Sequence, residues 1–458
     1  MKWNSSTGSI LRSRVGEWWA NAWRWIVMAA GTALVVFLIL DRARPYGLTL
    51  AFAVAVLVIG LVLTGSRPLA IVLLSMPALL VSLRVGLGGG DLTVSDAALA
   101  AAFAVSVLFG YRPYSRSLKA LLWLNALYQF ATLFTVIVHP YVQNTVEWFH
   151  AWLLISGALV VGWAAGRAGY AGLAFGALLA AGCVLAVGTI ITGVAQYAQG
   201  DFGAVYPAVP WALHKNFVGT TLAFLVLVAF INPSWAGLSK GFVRAAFWLM
   251  LVAVAMSQSR QAWIGLAVAL SIVIFRRGGH RGLAVMIAIP AVWVAIVMVI
   301  DQVNSQNQFN SVFQRLNWFR EVVHYWRTDP ILGHGLRFWY VDPDLPYQPP
   351  QGVLEILASV GLVGFAAFVV MCIGMLVVLW RVDPRYGTLA VTVVLSRLVQ
   401  GQFDLFWISV AVSVPFVIAG VCLGALARDE SVPLSEHSEE VRSRDAVELR
   451  RFADSPTR

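Results

Sequence analysis

The sequence carries its chemistry in a few short polar runs set among long apolar ones. His214-Lys215-Asn216 joins a loop to an apolar run. The Lys215 ammonium is a point charge suited to a phosphate oxygen, and the same tripeptide also reads as a helix start with Asn near the cap. Ser257-Gln258-Ser259-Arg260 puts Arg260 where another apolar run begins, and Arg397 lies near the end of a later one. Arg315, Arg320, Arg327 and Arg337 occupy the polar stretch between them. Guanidinium groups stay charged and grip phosphate oxygens in pairs, so a set of them at membrane depth suits a diphosphate on a lipid carrier. The plain alternative is that they snorkel or lie on the surface, and Arg320 and Arg327 fit it best. Pro330-Ile331-Leu332-Gly333-His334-Gly335 reads as a tight turn that exposes His334, either for moving a proton or as a surface residue. Glu355 falls one turn inside an apolar run, as an arginine's partner or as a base, with Asp342, Asp344 and Asp404 as further carboxylates. Asp342-Pro343-Asp344 is the sole Asp-x-Asp, and its proline argues against metal binding. No metal site and no cofactor are expected.

The elements that must hold these residues are membrane helices. Of 458 residues, 59% are hydrophobic and 12% charged, against about 45–50% apolar and about 25% charged in soluble domains. That excess excludes a soluble enzyme, a disordered chain and a disulfide scaffold, because the apolar side chains must face lipid or one another. Apolar runs long enough to cross a bilayer recur about fourteen times, at 24–40, 46–64, 68–84, 93–110, 117–138, 145–166, 170–195, 215–232, 241–256, 260–276, 281–301, 352–380, 386–400 and 404–427. Several nearly merge, so about twelve to fourteen crossings fit. The expected fold class is an all-α polytopic membrane protein with one long extracytoplasmic loop containing short helices. Its parts are a cytoplasmic segment 1–23, transmembrane helices over 24–301, the loop 302–351, C-terminal transmembrane helices over 352–427 and a disordered cytoplasmic tail 428–458. Within the loop, 310–328 has the spacing of an amphipathic helix lying at the membrane face.

Lys plus Arg total 32 and Asp plus Glu 22, a net charge of +10. The basic residues fall mainly in alternate gaps, including Arg112, Arg116 and Lys119, then Arg167, Lys240 and Arg244, Arg276 and Arg277, and Arg381 and Arg385. They therefore read as topology signals rather than a nucleic-acid surface, and they place both termini in the cytoplasm. His214, Lys215, Arg260, the 301–351 arginines and Arg397 then fall on the outer side, against the topological grain. Cys183, Cys372 and Cys422 sit in apolar runs with neither disulfide nor metal spacing. The opening stretch lacks the features of a cleavable signal peptide.

Taken in order, these pieces resemble the O-antigen ligase and O-antigen polymerase superfamily of bacterial polysaccharide assembly. The resemblance rests on His214-Lys215-Asn216, on Ser257, Ser259 and Arg260, on Arg315 with Trp318, on Pro330, Gly333 and Gly335, and on Leu354, Glu355, Gly361, Leu362 and Gly364. It spans roughly 205–425, backed by the whole-chain topology. It implies a GT-C-like fold in the bacterial cytoplasmic membrane. The implied activity is a metal-independent, inverting glycosyltransferase that moves a glycan from undecaprenyl diphosphate to a glycan, glycolipid or protein acceptor on the outer face. Arg260, Arg315, Arg337, Arg397, His214 and Lys215 would bind substrate, and in place of the family's usual histidine base, which this chain lacks, His334 would act first, with Glu355 or Asp342 behind it. One departure stands out. The His-Asn pair that precedes the Leu-Glu run in this family is Pro350-Gln351 here. A non-catalytic scaffold, or a transporter of lipid-linked glycans, is the alternative reading.

Overall fold

The computed structural model describes residues 22, 26, 29–34, 36, 69–84, 92–276, 311–341, 348 and 351–431, with side chains within 311–341 described from 319 onward. Among these residues the fold is all helix, and its sole β feature is an isolated bridge between Arg84 and Thr93. The expected spans 46–64 and 281–301, nearly all of 1–23, most of 24–40 and the tail beyond 431 lie outside the described residues.

Among the described residues, six helices are long and apolar enough to cross a bilayer: α3 (Arg116–Val138), α4 (Val142–Arg167), α5 (Ala171–Ala198), α7 (Lys240–Ser257), α11 (Gly352–Arg381) and α13 (Ser409–Asp429). Shorter ones stand beside them: α2 (Val94–Phe109), α6 (Lys215–Ile231), α8 (Arg260–Arg276) and α12 (Pro384–Gln400). Their bounds follow the apolar runs closely, because a backbone in lipid must satisfy its own hydrogen bonds and a helix does so within one segment. Outward-facing residues such as Trp123 and Leu108 are 75% and 74% exposed, the side chains a lipid-facing surface uses.

Two expected spans take another form. Residues 68–84 form only α1 (Ala70–Ala78), nine residues with Pro77 inside. At 1.5 Å per residue that covers about 14 Å, half a bilayer core. The run 404–427 begins its helix only at Ser409, because 401–408 is an irregular segment folded into the bundle.

The tightest helix contact joins α4 to α13. Gly162 and Gly166 face Gly420 and Gly424, and a Cβ on Gly162 would lie 2.1 Å from the Val417 carbonyl oxygen. Paired small residues four apart let membrane helices approach to backbone contact, where dispersion replaces the missing hydrophobic drive.

The bundle has two unlike ends. At one, Arg167 donates to the Ala427 carbonyl, Arg276 to those of Trp380 and Val382, and Trp235 to that of Arg385. The basic gaps expected on one side of the membrane thus meet at one end. The opposite end gathers the starts of α2, α4, α6, α8 and α11 with the polar loops.

The 310–328 stretch is α9 (Ser311–Thr328), which buries Val322 against Phe338, Trp339 and Ala358. Behind it the chain turns through 330–335 into α10 (Phe338–Val341). That turn explains two glycine motifs together. Gly361 interrupts α11 at φ 60 and ψ −166, in a region essentially closed to other residues. The break frees backbone groups on both sides, and the turn takes them up. His334 and Gly335 N–H donate to the Ala358 and Ser359 carbonyls, while Leu362 and Val363 N–H donate to those of Pro330 and Ile331.

Candidate functional site

Between the turn, α4 and the segment 405–410 lies a cavity of about 210 Å³. Arg337, Glu355, Glu147, His150, Trp407 and Ser409 supply much of its chemistry. Arg337 and Glu355 were legible in the sequence, whereas Glu147, His150 and Ser409 were not.

Glu355 is 3% exposed. Its Oε1 accepts from the Gln348 amide at 2.6 Å and its Oε2 from the Phe406 backbone N–H at 2.9 Å. Arg397 approaches the same segment from the other side. Its Nη2 donates to the carbonyls of Leu405 and Phe406, and its guanidinium lies 5.0 Å from the Phe406 ring centre. Glu355 and Arg397 therefore meet through 405–406, one taking an amide and the other the carbonyls. Arg397 sits behind the cavity wall, fully buried.

His334 is half-buried rather than exposed. Its Nε2–H donates to the Tyr325 carbonyl at 2.8 Å and lies 3.0 Å from the Thr328 hydroxyl, which ties the turn to the end of α9. It does not line the cavity. Gln351, at the departure from the family pattern, caps α11 by accepting from the Leu354 N–H at 2.6 Å. Arg315 lies in α9 with its side chain outside the described residues, as do Asp342, Asp344 and Pro350.

His214, Lys215 and Arg260 form a second group on the same end. His214 caps α6, its Nδ1 accepting from the Asn216 N–H at 3.2 Å. Partial burial holds its pKa down; Asp404 opposes that shift and the Lys215 charge adds to it. The Lys215 ammonium lies 5.9 Å from the Tyr206 ring centre and is near enough to Arg260 to feel its charge. Gln261 joins this group to the loop by donating to Asp404 at 2.8 Å. The two groups adjoin, because Phe217 and Leu405, neighbours of Lys215 and Asp404 in the chain, both line the cavity.

The first half of the chain supplies further buried charges to the cavity, Glu147 and His150. Arg337 Nε donates to Glu147 at 2.9 Å, and its guanidinium lies 4.7 Å from the Tyr340 ring centre. Glu147 Oε2 lies 3.4 Å from His150 Nδ1, and Asp96 Oδ1 lies 3.0 Å from His150 Nε2. Asp96 also accepts from Ser409 and, as a capping box, from the backbone and hydroxyl of Thr93. A carboxylate facing each ring nitrogen suits an imidazolium with two N–H donors. Ser409, His150 and Glu147 resemble a nucleophilic triad by residue type only. Asp96 takes both the serine proton and the nitrogen that would have to accept it. The missed signal is the spacing Asn144-x-x-Glu147-x-x-His150 in an apolar run, which puts three polar groups on one helix face. A π-helical turn, Leu153–Gly157, follows directly and adjusts the phase of that face against the rest of α4.

Among the described residues, no group of three or more His, Cys, Asp or Glu side chains is placed to hold a metal ion. A polytopic α-helical membrane protein whose cavity joins guanidinium and carboxylate groups at one end of the bundle is the class that fold and site define. Residues 245–369 match the family model described as O-antigen ligase, so over this stretch the chain is similar to the O-antigen ligase/polymerase superfamily. The match takes in Arg260, Arg315, His334, Arg337 and Glu355 and leaves out His214, Lys215 and Arg397. No curated protein matches the chain.

Proposed function

We propose that the protein is a glycosyltransferase of surface-polysaccharide assembly. It moves a glycan from an undecaprenyl-diphosphate donor to a hydroxyl acceptor at the extracytoplasmic face of the bacterial cytoplasmic membrane. The observation that carries this reading is the meeting, at one end of the bundle, of Arg337 and Glu355 in one cavity beside the Lys215 and Arg260 pair. The basic gaps lie at the other end, and the positive-inside rule assigns that end to the cytoplasm.

In this reading the acceptor oxygen attacks the anomeric carbon as the bond from that carbon to the phosphate oxygen breaks. The diphosphate leaves with its electron pair, and Lys215, Arg260 and Arg337 stabilise the charge that grows on it. Glu355 takes the proton of the acceptor hydroxyl. It fits that role better than His334, since Glu355 lines the cavity while the His334 Nε2–H is committed to the Tyr325 carbonyl. A single displacement inverts the anomeric centre. Arg397 serves by holding the 405–406 wall.

The test is genetic and biochemical. Cells lacking the gene accumulate lipid-linked glycan, and the wild-type chain clears it while Arg260→Ala and Glu355→Gln do not, although both reach the membrane. Clearance by both variants would refute the assignment.

A further inference from the structure

A carboxylate buried in a membrane-spanning helix is costly, and Glu147, in the second turn of α4, is 4% exposed. Its position is nevertheless heavily built. Asn144, one turn earlier on the same face, accepts from the Leu336 N–H at 2.9 Å. Thr135 donates to the Leu332 carbonyl and His139 to that of Gly333, both at 2.7 Å. Residues 135–147 therefore grasp the turn from one side while the break in α11 grasps it from the other. Arg337, at the end of that turn, is the point where both constraints reach the cavity.

Glu147 fixes the guanidinium by its Nε, and the Tyr340 ring lies against it, so the plane and direction of the charge are set before any ligand arrives. Glu147 cannot hold that pose as an isolated buried anion. His150 faces it from one turn on, and Asp96, anchored by Thr93 and Ser409, faces the other side of His150. Positive and negative groups alternate along Arg337, Glu147, His150 and Asp96, so no buried charge stands alone. The chain binds three separate helices to one arginine.

We propose that Glu147 is the positioning residue for Arg337, with His150 and Asp96 keeping it ionised and aimed, and that this chain sets the cavity's affinity for a diphosphate. The inference rests on the reading of Arg337 as a diphosphate ligand. Glu147, His150 and Asp96 all lie outside the segment that matches the O-antigen ligase family.

The test is a double-mutant cycle on the purified full chain with undecaprenyl diphosphate as the probe. Glu147→Gln keeps shape and removes charge, and it weakens binding roughly tenfold, as Arg337→Gln does. The double variant binds no worse than Arg337→Gln alone, because Glu147 acts only through Arg337. Effects that add, or wild-type affinity in Glu147→Gln while Arg337→Gln is weakened, overturn the positioning role. Wild-type affinity in Arg337→Gln overturns instead the diphosphate reading beneath it. Should Glu147→Gln not accumulate, Glu147→Asp keeps the charge and withdraws it by one methylene. It must then weaken binding in wild-type Arg337 and leave the Arg337→Gln background unchanged, and any other result overturns the proposal.

Discussion

Gly361→Ala tests whether the break in α11 and the 330–335 turn form one device. Two costs add. At φ 60 and ψ −166 the backbone is in a region that costs a residue with a Cβ about 1–3 kcal/mol. The new Cβ would also lie 2.3 Å from the carbonyl carbon and oxygen of Ile331, so the turn must move. Of the four backbone bonds across this contact, losing the two made by Leu362 and Val363 costs about 1 kcal/mol each. The expected destabilisation is about 3–5 kcal/mol, and Arg337, carried by the turn, leaves its pose. Gly237→Ala is the matched control. Its φ is +65, and a Cβ there meets nothing within 4 Å, so it costs only the backbone term of about 1 kcal/mol. The assay pairs thermal unfolding in detergent with clearance of lipid-linked glycan in cells. Gly361→Ala loses both, whereas Gly237→Ala loses a little stability and no activity. Equal, small effects in the two variants would refute the coupling.

Four further outcomes follow from the same geometry. Gly162→Leu drives a side chain into the Val417 carbonyl and prevents α4 from seating on α13, so no monodisperse protein is recovered by size-exclusion chromatography. Gly176→Ala, whose nearest neighbour would be Leu238 Cδ2 at 3.8 Å, behaves as wild type. Glu355→Gln removes a proton acceptor while keeping its volume, and turnover falls by about 10²-fold or more with the protein still folded, whereas His334→Gln retains most of its turnover. His214 caps α6 through an unprotonated Nδ1, and its pKa is lowered in the folded state. The unfolded chain therefore takes up the proton first as pH falls. The cap's contribution is full above the ordinary histidine pKa of about 6.5 and is lost as pH drops below it. His214→Asn, a cap that does not titrate, flattens the melting temperature against pH between about 6.5 and 5, and an unchanged profile would remove the cap from the account.

Much of the architecture was open to reading because it depends on short-range physics. A run of apolar residues must become a helix in lipid whatever surrounds it, so α3, α4, α5, α7 and α11 begin and end close to the limits of their runs. Basic gaps mark one end for the same local reason. The glycine turn, Arg260, Glu355 and their order along the chain were visible as motifs. Residues 68–84 misled because hydropathy counts apolar residues and takes no account of where the chain bends. The irregular segment before Ser409 was hidden because buried non-helical backbone is as apolar as helix.

What only the tertiary structure decided is who meets whom. Asp96 and Ser409 stand 313 positions apart, and Glu147 and Arg337 stand 190 apart, yet each pair shares a hydrogen bond. No local pattern specifies a partner at that distance, because pairing depends on how helices cross and on which faces the glycine contacts bring together. Sequence alone established a helical membrane protein with cations in unexpected places. The packed bundle determined that Arg397 braces a wall, that His334 pins a turn, and that Arg337 is held by a carboxylate from a helix whose role no motif had announced.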